Sequence, residues 1–216
     1  MLCAPWGQEY LRAHRAMRRL AVSLNAVGLD VLRFDYFGTG DSAGDTQDVN
    51  IKGCEQDIET AIEELQDMAG VERVGLVGLR LGATLAAHVA LRRTKEVDRL
   101  LMWDPVSRGQ DYLRELLDSN PPARARPASK GGGYEVQGFP LLASQADDIS
   151  VVSLPLAAAG LADRSLILRS ALPESPDAGF RSELIKSPSA WCEERDLGAG
   201  AVPAELIARI AGWAQE

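Results

Sequence analysis

Hydrophobic positions along the chain alternate between short apolar runs and helical stripes. Residues 1–5 form an apolar stretch that stops at Pro5-Trp6-Gly7, as a strand running into a loop would. From residue 9 to 26, Tyr10, Leu11, His14, Met17, Leu20, Ala21 and Leu24 recur at helical spacing. They predict one buried stripe, with Arg12, Arg15, Arg18 and Arg19 mainly off it. Gly28 ends that helix, and residues 29–34, broken only by Asp30 and Arg33, predict a strand. A Gly/Asp-rich loop occupies residues 35–45. Cys54, Ile58, Ala61, Ile62, Leu65 and Met68 then mark a helix over about 51–69, capped by Gly70. The stretch from Val74 to Thr84 reads as an apolar strand, a tight turn and a helix rich in small residues that runs to about Arg92. Another apolar strand, 97–103, ends in Asp104-Pro105, and Tyr112, Leu113, Leu116 and Leu117 mark one more helix. Strand–helix alternation of this kind implies an α/β fold, a mostly parallel sheet with helices on both faces.

Beyond Asp118 the pattern disappears. Ser119-Asn120-Pro121-Pro122 and Ala128-Ser129-Lys130-Gly131-Gly132-Gly133 are loop signals, and residues 119–160 are expected to form a lid or an excursion from the sheet. Helical spacing resumes weakly over 141–152, residues 165–168 predict a late strand, and residues 173–177 predict the loop after it. Val202, Leu206, Ile207, Ile210 and Trp213 form a closing amphipathic stripe with Pro203 near its first turn. No internal repeat is visible, and the expectation is a single domain over residues 1–216.

Composition narrows the partners. The formal charge is −8, which argues against nucleic acid or an anionic membrane surface as the main partner. No run approaches the roughly 18 apolar residues of a membrane span, and no signal peptide is evident. The three cysteines, Cys3, Cys54 and Cys192, are widely spaced and show neither a disulfide framework nor metal-ligand spacing. A cytoplasmic protein with no cofactor and no metal is therefore expected. Gly38-x-Gly40 and Gly131-Gly132-Gly133 do not open a helix after a strand, so neither is a dinucleotide fingerprint or a P-loop.

Gly78-x-Arg80-x-Gly82 has the spacing of the G-x-S-x-G nucleophile elbow. The glycines are in place, but the tip is arginine, which stays protonated and cannot act as an acyl nucleophile. With this elbow slot go Arg33-Phe34-Asp35-Tyr36-x-Gly38-x-Gly40-Asp41-Ser42-x-Gly44, which looks like a D-x-x-G-x-G-x-S-x-G loop, and Leu101-x-Trp103-Asp104-Pro105-Val106. On these motifs the chain resembles the α/β-hydrolase superfamily in its serine aminopeptidase-like branch. The wording Gly78-Leu79-Arg80-Leu81-Gly82-Ala83 is similar to hydrolase-like proteins associated with the exosortase A system, one type of which also has arginine at the tip. The resemblance covers most of residues 1–118. It implies a three-layer sandwich in which residues 1–5 lead into the oxyanion loop. The first two strands of the usual fold would then be lacking, as in a shortened version or an incomplete gene model.

A Ser-His-acid mechanism needs a nucleophile, a base and an orienting acid. The resemblance places the acid after the late strand, where Glu174 and Asp177 lie, and the base between residues 186 and 202, which contain no histidine. Of the two histidines, His88 lies about 12 Å of helical rise from Arg80, and His14 lies on the stripe of the first helix. Ser42 reads as a turn former, and Cys54 and Cys192 have no histidine nearby in sequence. An arginine at a helix start needs an anion. Either a carboxylate at a neighbouring strand end (Asp35, Asp41 or Asp104) pairs with Arg80, or Arg80 holds a small anionic ligand. The candidate ligand-binding residues are Arg80, Leu81, Trp6, Gly7 and Asp104. The expectation is a degenerate active site in a non-catalytic binding or accessory protein. The alternative is a hydrolase or acyltransferase of ester, acyl or glycan-derived substrates using residues outside a triad. A homo-oligomer formed through an exposed sheet edge is a further expectation.

Overall fold

A computed structural model describes residues 1–119, 132–158, 160–171, 177–185 and 202–216. Five strands, β1 (Leu2–Cys3), β2 (Val74–Leu79), β3 (Val97–Trp103), β6 (Ser165–Arg169) and β7 (Ser182–Leu184), pair side by side in the order β1-β2-β3-β6-β7. Every pairing is parallel. The helices are α1 (Gln8–Ala26), α2 (Ile51–Ala69), α3 (Leu81–Arg92), α4 (Gly109–Asp118), α5 (Ala143–Ser150) and α6 (Ala204–Trp213).

Strand alternation decides what lies on each face. Leu76 of β2 and Leu100 and Met102 of β3 face a core shared with α2, α3, α4 and α5. Val77 and Leu79 of β2 and Leu101 and Trp103 of β3 face a second core built with α1 and α6. Strands buried on both faces read as continuous apolar runs, which is why β2 and β3 stand out in the sequence. The result is a three-layer sandwich with a parallel sheet, as expected. Asn50 caps α2, its side chain accepting from the Gly53 N–H at 2.8 Å, and Gly70 ends that helix with a left-handed φ of 65°. No helix among the described residues is long and apolar enough to cross a membrane.

Four expectations are corrected. The buried stripe of α1 is Glu9, Arg12, Ala13, Ala16, Met17, Leu20 and Leu24, whereas Leu11 and His14 are exposed. Alanines let α1 lie close to the sheet, and polar residues at its N-terminal end face a charged neighbourhood that periodicity alone cannot reveal. Residues 29–34 make only an isolated bridge, Arg33 to Leu2, with the Leu2 N–H donating to the Leu32 carbonyl at 2.9 Å. A two-residue β1 gives this segment too little to pair with. Where the pattern vanished, β4 (Gly133–Val136) and β5 (Phe139–Leu142) form an antiparallel hairpin leading into α5. Finally, the three-residue β7 extends the sheet where no strand is predicted.

Candidate functional site

The elbow forms because its glycines leave no alternative. A Cβ at Gly78 would lie 2.4 Å from Ala83 Cα, and one at Gly82 would lie 2.1 Å from the Ala4 carbonyl oxygen. Strand, helix and the loop after β1 therefore touch backbone to backbone. Arg80 sits between them with φ 54° and ψ −123°, a conformation that L-residues avoid. Its N–H donates to the Trp103 carbonyl of β3 at 2.9 Å, and its carbonyl accepts from the Ala83 N–H at 3.0 Å. Thr84 Oγ1 donates to the Val106 carbonyl at 2.8 Å, tying α3 to the loop after β3.

The Arg80 side chain points into a charged cluster. Its Nε donates to Glu9 Oε1 at 2.8 Å and its Nη2 to Glu115 Oε2 at 2.5 Å. Tyr112 Oη donates to the other Glu9 oxygen at 2.8 Å, and the guanidinium carbon stands 5.3 Å from the Tyr112 ring centroid. The Glu9 side chain is 1% exposed, that of Arg80 12% and that of Glu115 46%. Arg80 thus joins α1, α3 and α4. These two ion pairs are with glutamates, where an aspartate at a strand end was expected. Asp35 accepts from Tyr10 Oη at 2.8 Å and from the Asp41 N–H at 3.1 Å. The Asp104 carboxylate accepts from the Ser170 N–H and Oγ at 2.7 and 2.6 Å. The guanidinium reaches Glu9 in the first turn of α1 and Glu115 in the second half of α4. Glu9, Tyr112 and Glu115 were missed by sequence reasoning. Their available signal was a carboxylate four residues before Ala13 on a buried stripe, and an i, i+3 pair on α4.

The other candidates separate. Gly7 precedes α1 with φ 62°, delivering Glu9 to the cluster. Trp6 and Leu81 line a small apolar pocket beside the first turn of α3. Asp104, at φ 43°, joins the end of β3 to the segment after β6. Of the candidate acids, Asp177 is engaged by Arg169 through Nε and Nη2 at 2.9 and 2.5 Å, and Glu174 lies outside the described residues, as does Cys192. His14 is exposed on α1, with its ring 6.5 Å from that of Tyr10. His88 Nδ1 lies 2.7 Å from Glu55 Oε1, and Nε2 lies 2.8 Å from the Ser153 carbonyl oxygen. Both partners are acceptors, so the imidazolium form, with two N–H donors, satisfies the site. Burial opposes that charge, but hydrogen bonds to Glu55 and Ser153 outweigh it and raise the His88 pKa. Among the described residues, no group of three or more His, Cys, Asp or Glu side chains is arranged to hold a metal ion.

The fold is shared with proteins of solved structure. The family model of serine aminopeptidase, S33, matches residues 12–130, more than half of the chain. The chain belongs to this family. Within the curated proteins, the mitochondrial palmitoyl-protein thioesterase ABHD10 of Pongo abelii is 31% identical over 94 residues, a match covering 43% of this chain. That match spans 29% of the thioesterase, under a third of its length. Solved structures share the α/β-hydrolase fold at low identity. Est1E of Butyrivibrio proteoclasticus, with ferulic acid bound, superposes with a TM-score of 0.62 at 16% identity, covering 93% of this chain and 82% of Est1E. Mouse α/β hydrolase domain-containing protein 10 gives 0.59 at 16% identity, covering 99% and 88% respectively. In this S33 family member, Arg80 stands at the elbow tip.

Proposed function

We propose that this S33 family member has a degenerate active site and acts as a non-catalytic binding or accessory protein. The observation that carries the reading is the side chain at the elbow tip. A guanidinium is no nucleophile, and here it is consumed by hydrogen bonds to Glu9 and Glu115 beneath the Tyr112 ring. The strained turn is retained for architecture, crosslinking α1 and α4 at the sheet's C-terminal edge. The absence of histidine from residues 186–202 agrees with it, as does the engagement of His88 by Glu55 and Ser153. A small anionic ligand at Arg80 would displace the half-exposed Glu115 and leave Glu9 in place. The kinship with exosortase A-associated proteins rests on the wording Gly78-Leu79-Arg80-Leu81-Gly82-Ala83 and belongs to this proposal.

The similarity to a palmitoyl-protein thioesterase favours one second reading, hydrolysis of acyl esters or thioesters by residues outside a triad. One experiment separates the two. p-Nitrophenyl acetate, p-nitrophenyl butyrate and a palmitoyl thioester are offered to the purified protein and to Arg80→Ala, Glu9→Gln and Tyr112→Phe. No turnover above the buffer rate is expected in any of them. Turnover by the parent protein that disappears in one variant would establish the second reading instead.

A further inference from the structure

The two longest described helices, α1 and α2, cover opposite faces of the sheet. Met17 and Leu20 of α1 lie in one core, and Ile58 and Ile62 of α2 lie in the other. Their outer faces therefore point in opposite directions. On the outside of α1, Arg15, Arg18, Arg19 and Val22 are all exposed. Spacings of three and four residues bring them onto one side of the helix. On the outside of α2 and just beyond it, Glu64, Asp67, Met68 and Val71 are exposed and repeat the same spacing. Among the described residues, neither the three arginines nor Glu64 and Asp67 form an ion pair or a side-chain hydrogen bond. These charges are unfavourable for their own helices. Arg15 faces like charges three and four residues on, in mid-helix, and Asp67 stands in the last turn of α2, where an anion opposes the helix dipole. The apolar members are open to water as well, Val22 at 53% and Met68 at 76%.

We propose that the outer face of α1 docks on the outer face of α2 in a second copy of this chain, with Arg15 and Arg18 meeting Glu64 and Asp67, and Val22 meeting Met68 and Val71. Pairing of like faces is opposed, because arginines would meet arginines or carboxylates would meet carboxylates. The contact is therefore head to tail. Because the two faces point in opposite directions, each docked copy leaves one face of each kind open, and the contact repeats as a stack. An anionic lipid surface is the poorer occupant for α1, since the main apolar face of that helix is buried in the core and the whole molecule carries −8. Exposed ion pairs are weak and screened by salt, so the association is reversible and belongs to low ionic strength. It uses neither the elbow nor the sheet edge, and it is read by mass and not by turnover, so it stands apart from the proposed lack of catalysis.

The test is sedimentation velocity over a concentration series at about 20 mM and about 500 mM NaCl, between which the screening length falls from about 20 Å to about 4 Å. At low salt the sedimentation coefficient of the parent protein is expected to rise with concentration, and at high salt to stay at the monomer value. Arg18→Glu/Arg19→Glu gives two acidic faces and Glu64→Arg/Asp67→Arg gives two basic ones, so each variant alone is expected to associate about tenfold more weakly or worse. Mixed in equal amounts, the two variants are complementary at every contact, and association is expected to return. That return also shows that both variants are folded. A parent protein that stays monomeric at low salt, association unchanged in either variant, or a mixture that stays monomeric overturns the proposal. Binding to phosphatidylglycerol vesicles by a protein that remains monomeric would assign the arginines to lipid and overturn it as well.

Discussion

Arg80 and Glu9 meet where water is almost absent, and the two side chains reached that position from opposite requirements. The arginine stands at the start of α3, where a cation opposes the helix dipole. The glutamate lies in the first turn of α1, where an anion is favoured, and is 1% exposed. Their contact answers both needs, and Tyr112 occupies the second Glu9 oxygen. Breaking a buried pair from one side is costlier than never having made it. Arg80→Ala is therefore expected to destabilise the protein by about 3 kcal/mol. Adding Glu9→Gln to Arg80→Ala should recover a good part of that loss, because an amide no longer carries buried charge. Urea denaturation of the two variants checks both statements; a loss below about 1 kcal/mol in Arg80→Ala would mean the pair behaves as a surface one.

At the scale of elements, the elbow is a contact between three backbones. β2, α3 and the loop after β1 approach so closely that Gly82 has the Ala4 carbonyl where its Cβ would be, at 2.1 Å. A single methyl there must push β1 away from α3, and β1 is only two residues long. Gly82→Ala is expected to cost on the order of 3 kcal/mol, in the range of overpacked cores, and to shift the methyl signals of Leu2 and Leu81. Gly75, on the same strand, is the control. A Cβ there meets nothing nearer than Arg99 at 4.0 Å, so Gly75→Ala should be close to neutral. Equal losses from the two substitutions would refute the close-approach argument.

Across the whole molecule, charge stitches together segments distant in sequence. Arg92 pairs with Glu55 and Glu59, and His88 links Glu55 of α2 to the Ser153 carbonyl after α5. This link carries a pH dependence whose sign follows from the shifts. The folded-state pKa of His88 is raised, so its contribution is complete below the unfolded value of about 6.5 and is lost as pH rises through the higher folded value. Burial alone would raise the Glu55 pKa, but His88 and Arg92 outweigh it and lower it. Its contribution is present above the ordinary carboxyl range and is lost as pH falls through the lowered folded value. The stability that the parent protein gains over His88→Gln is expected to shrink as pH rises from about 6 toward about 8.5, read as the difference between their thermal unfolding curves. Parallel curves for the two proteins would show that His88 titrates alike in the folded and unfolded states.

The sequence by itself determined the framework. Continuous apolar runs at Val74–Leu79 and Leu100–Trp103, alternating with helical stripes, specify a parallel sheet, because strands covered on both faces read as apolar runs. Gly78 and Gly82 fixed the turn in advance, since no other residue tolerates the approach now seen at each. Local patterning was silent where stability comes from neighbours remote in sequence. The hairpin β4–β5 and the three-residue β7 are too short to show a period, and residues 29–34 look like a strand but lack a long enough partner. The same limit governed the site. That Arg80 needs an anion was legible from its charge and its place at a helix start. That Glu9, 71 residues away, supplies it was decided only when α1 packed its alanine stripe on the sheet and turned that carboxylate inward.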